Sequence, residues 1–380
     1  MSDSLRTVNT PCLVINQQAM NTNINRLKSH LNDLGVSFRP HLKTAKSIAV
    51  ARKVMMSEYG PATVSTLKEA EQFAAAGVTD LTYAVGIEPG KFPRVSALRN
   101  NNIDISVLLD SVEQAHQLAQ YCAEHGEFIP ALIEIDCDGH RSGVRPEQEE
   151  LLIEIAQALN SSNALFKGVL THAGASYSES TVAALKQCAD HERDAAVGAA
   201  KTLAAAGFNC EVVSVGSTPT AHFSEDLTGV TEVRAGVFVF FDLVMAGIGV
   251  CKIEDIALSV LTTVIGHQAD KGWILVDAGW MAMSRDRGTS RQKIDQGYGI
   301  VCDVHGRPFA DLIMVDANQE HGVIALRSQS SKRLPNLPIG TRLRILPNHA
   351  CATAAQHNEY KVVDGDQDNI VDVWPRFYGW

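Results

Sequence analysis

The sequence is short of positive charge: 33 Lys and Arg face 43 Asp and Glu, a formal net charge of −10. Phosphate backbones recruit clustered Lys and Arg, so a nucleic-acid partner is not expected. No apolar run approaches the roughly 20 residues of a membrane-spanning helix, and no membrane partner is expected either. The opening segment MSDSLRTVNTPCLV lacks the basic stretch and apolar core of a secretion signal. Eight cysteines are scattered without a Cys-x-x-Cys pair, which predicts reduced thiols in a cytoplasmic protein. Low-complexity segments and long linkers are missing too. What is present is ordinary globular material, 45% hydrophobic and 20% charged over 380 residues, enough for one large domain and a smaller one.

Through the first two-thirds, short β-rich apolar runs alternate with alanine-rich helical patterns. Strands are expected near 36–40, 62–65, 81–85, 103–109, 131–136, 168–172, 210–215 and 232–240. Helical periodicity fills the gaps in LKEAEQFAAAG, SVEQAHQLAQYCAEHG and HERDAAVGAAKTLAAAG, the last two ending on the glycine that suits a helix C-terminus. Eight βα repeats at this spacing predict an α/β architecture, an N-terminal (β/α)8 TIM-like barrel over 20–250; an open doubly wound sheet is the alternative. Beyond about residue 250 helical periodicity nearly disappears, and ALSVLTTVIGH, WILVDAG and TRLRILP read as strands. A mostly β domain is therefore expected over 251–380, joined by 1–19 through TPCLVIN.

Parallel barrels gather catalytic groups where strands end and βα loops begin. Lys43 follows the first expected strand, in RPHLKTAKS; Asp136, His140 and Arg141 follow the fifth, in EIDCDGHRSG; His172 and Tyr177 follow the sixth, in THAGASY. Gly216, Ser217 and Thr218 open GSTPT after the seventh, and Arg234 and Gly236 lie on the eighth, in EVRAGVFVF. Taken singly, RPHLKTAKS reads as a solvated basic loop and GSTPT as an ordinary turn and helix start. Together on one rim they read as a site. Small residues with hydroxyls and free backbone N–H groups suit a phosphate, and a lysine opposite such a cradle suggests pyridoxal phosphate, tethered as an imine.

The ordered blocks TPCLVIN, RPHLKTAKS, TVSTLKEAEQF, EIDCDGHRSGV, THAGASY, VVSVGSTPT, EVRAGVFVFFD, VDAGWMAMSRD and LPNHACAT run from end to end. In these blocks the chain resembles the fold-type III pyridoxal-phosphate enzymes, the alanine racemase-like group, and within it the D-serine dehydratase and D-threonine aldolase family. The resemblance implies that Lys43, not Lys46, carries the cofactor, Lys46 being read as a surface charge at a helix start. Cations at Arg39, His41 and Lys46 are expected to help the cofactor lysine shed its proton. By the same resemblance His172 lies against the pyridine ring, Arg141 is near the pyridine hydroxyl, and Ser217, Thr218, Gly236 and Val237 contact the phosphate. The resemblance also implies that Arg234 faces the pyridine nitrogen. An arginine there keeps that nitrogen unprotonated and weakens the electron sink, so expelling a leaving group needs other help.

PNHACATAAQH contains His349 and Cys351, which in a strand would share a face and one metal; core packing is the plain alternative, and His357 is a third donor by spacing alone. The dehydratase branch, which LPNHACAT resembles, uses the His and Cys as metal ligands, zinc in first place with manganese or another divalent ion also compatible. Such a metal would act as a Lewis acid on a β-hydroxyl. RDRGTSRQK (285–293) reads as a solvated basic loop or as a segment meeting an acidic substrate, and Met281 and Met283 read as core. The resemblance implies a homodimeric lyase converting 3-hydroxy-D-aspartate to oxaloacetate and ammonia, and D-serine to pyruvate. A D-threonine-type aldolase, a racemase and a non-catalytic pyridoxal-phosphate carrier are the alternatives.

Overall fold

The computed structural model describes residues 4–161 and 164–380. The chain divides into two compact units, one formed by Arg26–Gly236 with Tyr378–Trp380, the other by Val237–Phe377 with the N-terminal segment as far as Asn25.

The first unit is built on eight parallel strands in the spatial order Ser37–Phe38, Glu232–Val233, Val212–Val215, Ala164–Thr171, Ile129–Ile135, Asp104–Leu109, Asp80–Gly86 and Ala62–Val64. The two edges meet through a parallel bridge between His41 and Thr63. There the Leu42 N–H donates to the Thr63 carbonyl and the Thr63 N–H to the Pro40 carbonyl, both at 2.9 Å. The sheet is thus a closed barrel, not an open doubly wound sheet. Helices pack outside it for reasons visible in their sequences. In Val112–His125 the Ser111 hydroxyl caps the Gln114 N–H, Ala115, Leu118, Ala119 and Cys122 form a buried stripe, and Gly126 closes the end in the left-handed conformation. The helix expected in HERDAAVGAAKTLAAAG begins earlier, at Val182, where Thr181 supplies the cap.

The eighth strand is shorter than the expected 232–240. Pairing stops at Val233, and Val237–Val239 forms a single 3-10 turn whose side chains are buried. A continuous apolar run such as VFVFF is equally compatible with a strand and with any other fully buried segment, and periodicity cannot separate them.

In the second unit six antiparallel strands close on themselves: Leu258–Gln268, Trp273–Val276, Gly322–Leu326, Pro308–Ala317, Gly299–Cys302 and Arg342–Pro347. Cys12–Asn16 pairs antiparallel with Leu258–Gln268 and parallel with Glu359–Val363, and Asp372–Pro375 extends that edge. The N-terminal strand is held by Val14, buried with Leu5, Leu261, Val304 and Val363. Among the described residues, no helix is long and apolar enough to cross a membrane.

Candidate functional site

At the rim of the parallel barrel, the turn after Ser37–Phe38 carries Lys43 with its side chain exposed. The neighbouring Lys46 is not the surface charge expected of it. Its backbone is left-handed (φ 44°), and its Nζ lies 3.0 Å from Oε1 of Glu69, a carboxylate with no exposed side-chain surface. Glu69 also accepts hydrogen bonds from the Ser65 N–H (2.9 Å) and the Ser65 hydroxyl (2.8 Å). One lysine of RPHLKTAKS is therefore spent on holding the loop, and the other is presented.

His172 leaves the end of Ala164–Thr171, and its Nδ1–H donates to the Gly216 carbonyl at 2.9 Å. Burial strips water from the ring, and the charges of Lys43, Arg141 and Arg234 add to this, pushing His172 down to about 3. It is neutral, with the hydrogen on Nδ1. His41 is likewise held well below its ordinary value by burial and then by Lys43, Arg234 and His172. Tyr177 lies beside His172, ring centroids 6.0 Å apart.

Gly216 has φ 137°, and a Cβ on it would stand 2.0 Å from the Arg234 carbonyl, so only glycine permits this approach. Ser217 caps the short helix Thr218–Phe223: its hydroxyl accepts the Thr220 N–H at 3.2 Å, its own N–H donates to the Thr220 hydroxyl at 3.0 Å, and the Ser176 hydroxyl lies 2.9 Å away. Ser217 thus shapes the cradle with its polar groups already engaged, and Thr218, buried, follows it. Gly236 leaves room beside the Lys43 turn, since a Cβ there would meet the His41 carbonyl at 3.1 Å and the Thr44 hydroxyl at 3.2 Å. Val237 is buried and belongs to the other unit. Arg234 is 4% exposed and donates through Nη1 to the Ser214 hydroxyl and through Nη2 to the Thr171 carbonyl, each at 2.6 Å. Arg141 is exposed, its guanidinium 4.0 Å from Glu134.

An amine, two guanidiniums, a neutral imidazole and a glycine-bounded loop are donors that fit a phosphorylated pyridine aldehyde. Two other rim residues serve the loops. Asp136 accepts the Gly139 N–H at 2.7 Å, and the His140 ring packs over Gly174, where a Cβ would come within 2.6 Å of it. Glu192, which the sequence reading missed, is 1% exposed and accepts the Ala173 N–H at 2.7 Å and the Thr220 hydroxyl, tying the His172 loop to the cradle.

In the second unit, His349 and Cys351 do not sit in a strand as expected. Arg342–Pro347 ends before them, His349 is the N-cap of helix Ala350–Ala354, and Cys351 lies in its first turn. A capping position and the first turn bring the side chains together as effectively as strand alternation: the Cys351 thiol hydrogen-bonds the His349 ring. The His349 Nδ1–H donates to Asp286 at 2.6 Å, which fixes the orientation of the ring. Burial opposes charge on His349, yet Asp286, Cys351 and Asp242 together raise it to about 11. Imidazole and sulfur donors beside the Asp286 carboxylate fit a divalent metal of borderline softness. Asp242, 2% exposed, accepts the Met245 and Ala350 N–H groups and anchors the helix start. His357 is not a third donor: its Nε2–H bonds the Ala282 carbonyl at 2.9 Å. Among the described residues, no three His, Cys, Asp or Glu side chains converge as a complete cage.

The segment 285–293 is not simply a solvated basic loop. Its one acid is the Asp286 that holds His349, Arg287 pairs with Asp295 at 2.9 Å, and the buried Thr289 hydroxyl donates to Asn348 at 2.9 Å. Met283 is core, whereas Met281 is 43% exposed.

Residues 15–244 match the family described as alanine racemase, N-terminal domain, and residues 257–363 match the putative serine dehydratase domain. The chain is 52% identical to the D-threo-3-hydroxyaspartate dehydratase of Delftia sp. (strain HT23), over 100% of both chains. It is 30% identical to a D-serine dehydratase of Dictyostelium discoideum, over 99% of this chain and 98% of the other. The solved structure of the Delftia enzyme superposes with a TM-score of 0.96 at 51% identity, covering 100% of each chain, and a mutant D-threo-3-hydroxyaspartate dehydratase solved in a metal-free form superposes equally well. Domain content, end-to-end identity and fold agree, and the chain belongs to the fold-type III pyridoxal-phosphate family, in the branch that joins an alanine racemase N-terminal domain to a serine dehydratase domain.

Proposed function

We propose that this chain is an ammonia-lyase, dependent on pyridoxal phosphate and a divalent metal, that dehydrates 3-hydroxy-D-aspartate to oxaloacetate and ammonia and accepts D-serine, giving pyruvate, less well. The observation that carries the reading is the barrel-rim cluster of Lys43, His172 and Arg234 in a chain 52% identical throughout to a D-threo-3-hydroxyaspartate dehydratase. When bound, the cofactor supplies an electron sink joined to the substrate Cα, and the metal supplies a Lewis acid for the β-hydroxyl.

Lys43 would tether the cofactor through Nζ, and the same Nζ, once free, would accept the α-proton. His172, neutral and fixed through Nδ1, offers a flat uncharged face that orients the ring without competing for the proton. Arg234 would donate to the ring nitrogen, Arg141 to the ring hydroxyl, and the Gly216–Thr218 turn with Gly236 and Val237 would receive the phosphate, with Tyr177 lining the same rim. His349 and Cys351 hold the metal, zinc in first place, with Asp286 fixing the His349 ring. A cytoplasmic homodimer is the working form in this reading.

Substrate choice is tested by comparing kcat/KM. A second carboxylate meeting the metal or an arginine of 285–293 adds a charge-assisted contact of about 1.5–3 kcal/mol, roughly ten- to a hundredfold in favour of 3-hydroxy-D-aspartate. A clear advantage for D-serine would sink the substrate assignment and spare the mechanism. Glycine and glyoxylate as products would replace the dehydratase reading with the aldolase one.

A further inference from the structure

The interior of a parallel (β/α)8 barrel is ordinarily packed with branched aliphatic side chains. In this barrel a chain of charged groups occupies part of that space. Asp80 Oδ1 accepts from Arg39 Nη1 at 2.6 Å, and Arg39 Nε donates to Glu232 Oε2 at 2.7 Å. Glu232 Oε1 accepts the Ser214 hydroxyl at 2.7 Å, and that hydroxyl accepts Arg234 Nη1 at 2.6 Å. Arg39 is 8% exposed, Glu232 6%, Arg234 4% and Ser214 0%; only Asp80, at the outer end, reaches solvent.

Two features show what this chain does. First, the bond directions are forced. Ser214 has one hydroxyl hydrogen, and an ionised Glu232 can only accept, so the serine oxygen must face Arg234 as an acceptor. With Nη2 pinned to the Thr171 carbonyl at 2.6 Å, the guanidinium has one orientation. Second, stability does not explain it. Buried ion pairs contribute little net stability, and well-packed apolar residues of similar volume do as well or better. A barrel that retains two arginines and two carboxylates in line is holding the last arginine somewhere. Burial pushes the Arg234 guanidinium down to about 10, and the carboxylates of Glu232, Glu192 and Glu134 counter it while Arg39 adds to it.

We propose that Glu232 and Ser214, anchored by Arg39 on Asp80, are positioning residues that hold the Arg234 guanidinium fixed and cationic against the cofactor's ring nitrogen, keeping that nitrogen unprotonated. This rests on the pyridoxal-phosphate reading above. The test uses holoenzyme loaded with cofactor labelled with 15N in the ring, and follows the ring-nitrogen NMR signal across pH. In the wild type the nitrogen stays unprotonated throughout. In Ser214→Ala and Glu232→Gln it becomes titratable, while KM and cofactor Kd stay within about twofold of the wild type. Ser106→Ala removes a buried hydroxyl from a barrel strand outside the chain of bonds and leaves the signal unchanged. Should Glu232→Gln fail to fold, Ser214→Ala decides alone. A wild-type-like ring nitrogen in Ser214→Ala, or an equal change in Ser106→Ala, overturns the positioning role. Borohydride treatment and mass spectrometry separate this from failure of the underlying reading: a wild type without a cofactor adduct on Lys43 overturns both.

Discussion

Lys43→Ala protein is expected to fold, to bear no borohydride-stable cofactor adduct, and to lose lyase activity by at least about a thousandfold. In the proposed reading two functions vanish with one amine, the covalent tether and the base for the α-proton. Lys46, three residues on, is committed to Glu69 at 3.0 Å. Lys46→Ala gives the contrasting result: adduct and activity survive, while stability drops by about 3 kcal/mol because a carboxylate with no exposed surface loses its cation. Thermal denaturation together with peptide mass mapping reads both outcomes. An adduct that persists in Lys43→Ala and disappears in Lys46→Ala would reverse the assignment.

The parallel barrel was legible because its βα repeats alternate two periodicities, and each of the eight expected strands pairs in the structure. The β unit was only half legible. ALSVLTTVIGH, WILVDAG and TRLRILP carry continuous apolar runs, but Gly299–Cys302 and Pro308–Ala317 are broken by bulges after Ile300 and Met314, which upset the alternation that marks a strand. At the candidate site, the residues proposed to meet a ligand were easier to see than those that hold them. Glu232 was in principle visible, since TEVRAG puts it two residues before Arg234 and hence on the same side of a strand. Glu192 carried no signal, being one acid in a polar helical stretch whose burial depends on the barrel behind it. Asp286 was hidden by its surroundings: the run RDRGTSRQK reads as a sum of positive charge, whereas the single acid is the member that bonds His349.

Chelation should silence the enzyme without unfolding it. After dialysis against a chelator, activity is expected to fall at least about a hundredfold with far-UV circular dichroism and bound-cofactor absorbance intact, and added zinc or manganese should restore it. The argument rests on where positive charge is wanted. Asp286 accepts the His349 Nδ1–H at 2.6 Å, and Asp242 accepts the Ala350 N–H of the same turn, so two carboxylates stand beside the imidazole and thiol. In the proposed mechanism a Lewis-acid cation would assist expulsion of the hydroxyl from Cβ, because an arginine at the ring nitrogen would weaken the electron sink. Cys351→Ala then loses both bound metal, measured by elemental analysis, and activity. Asp286→Asn, which still bonds His349 but no longer draws its ring charge, weakens metal affinity about ten- to a hundredfold. A packing role predicts something different. Trimming one half-buried sulfur at the first turn of a five-residue helix costs about 1 kcal/mol of stability and leaves the turnover of folded protein unchanged. Full activity in chelator-treated Cys351→Ala would therefore make the pair structural, and the leaving group would have to be activated by a residue of the chain.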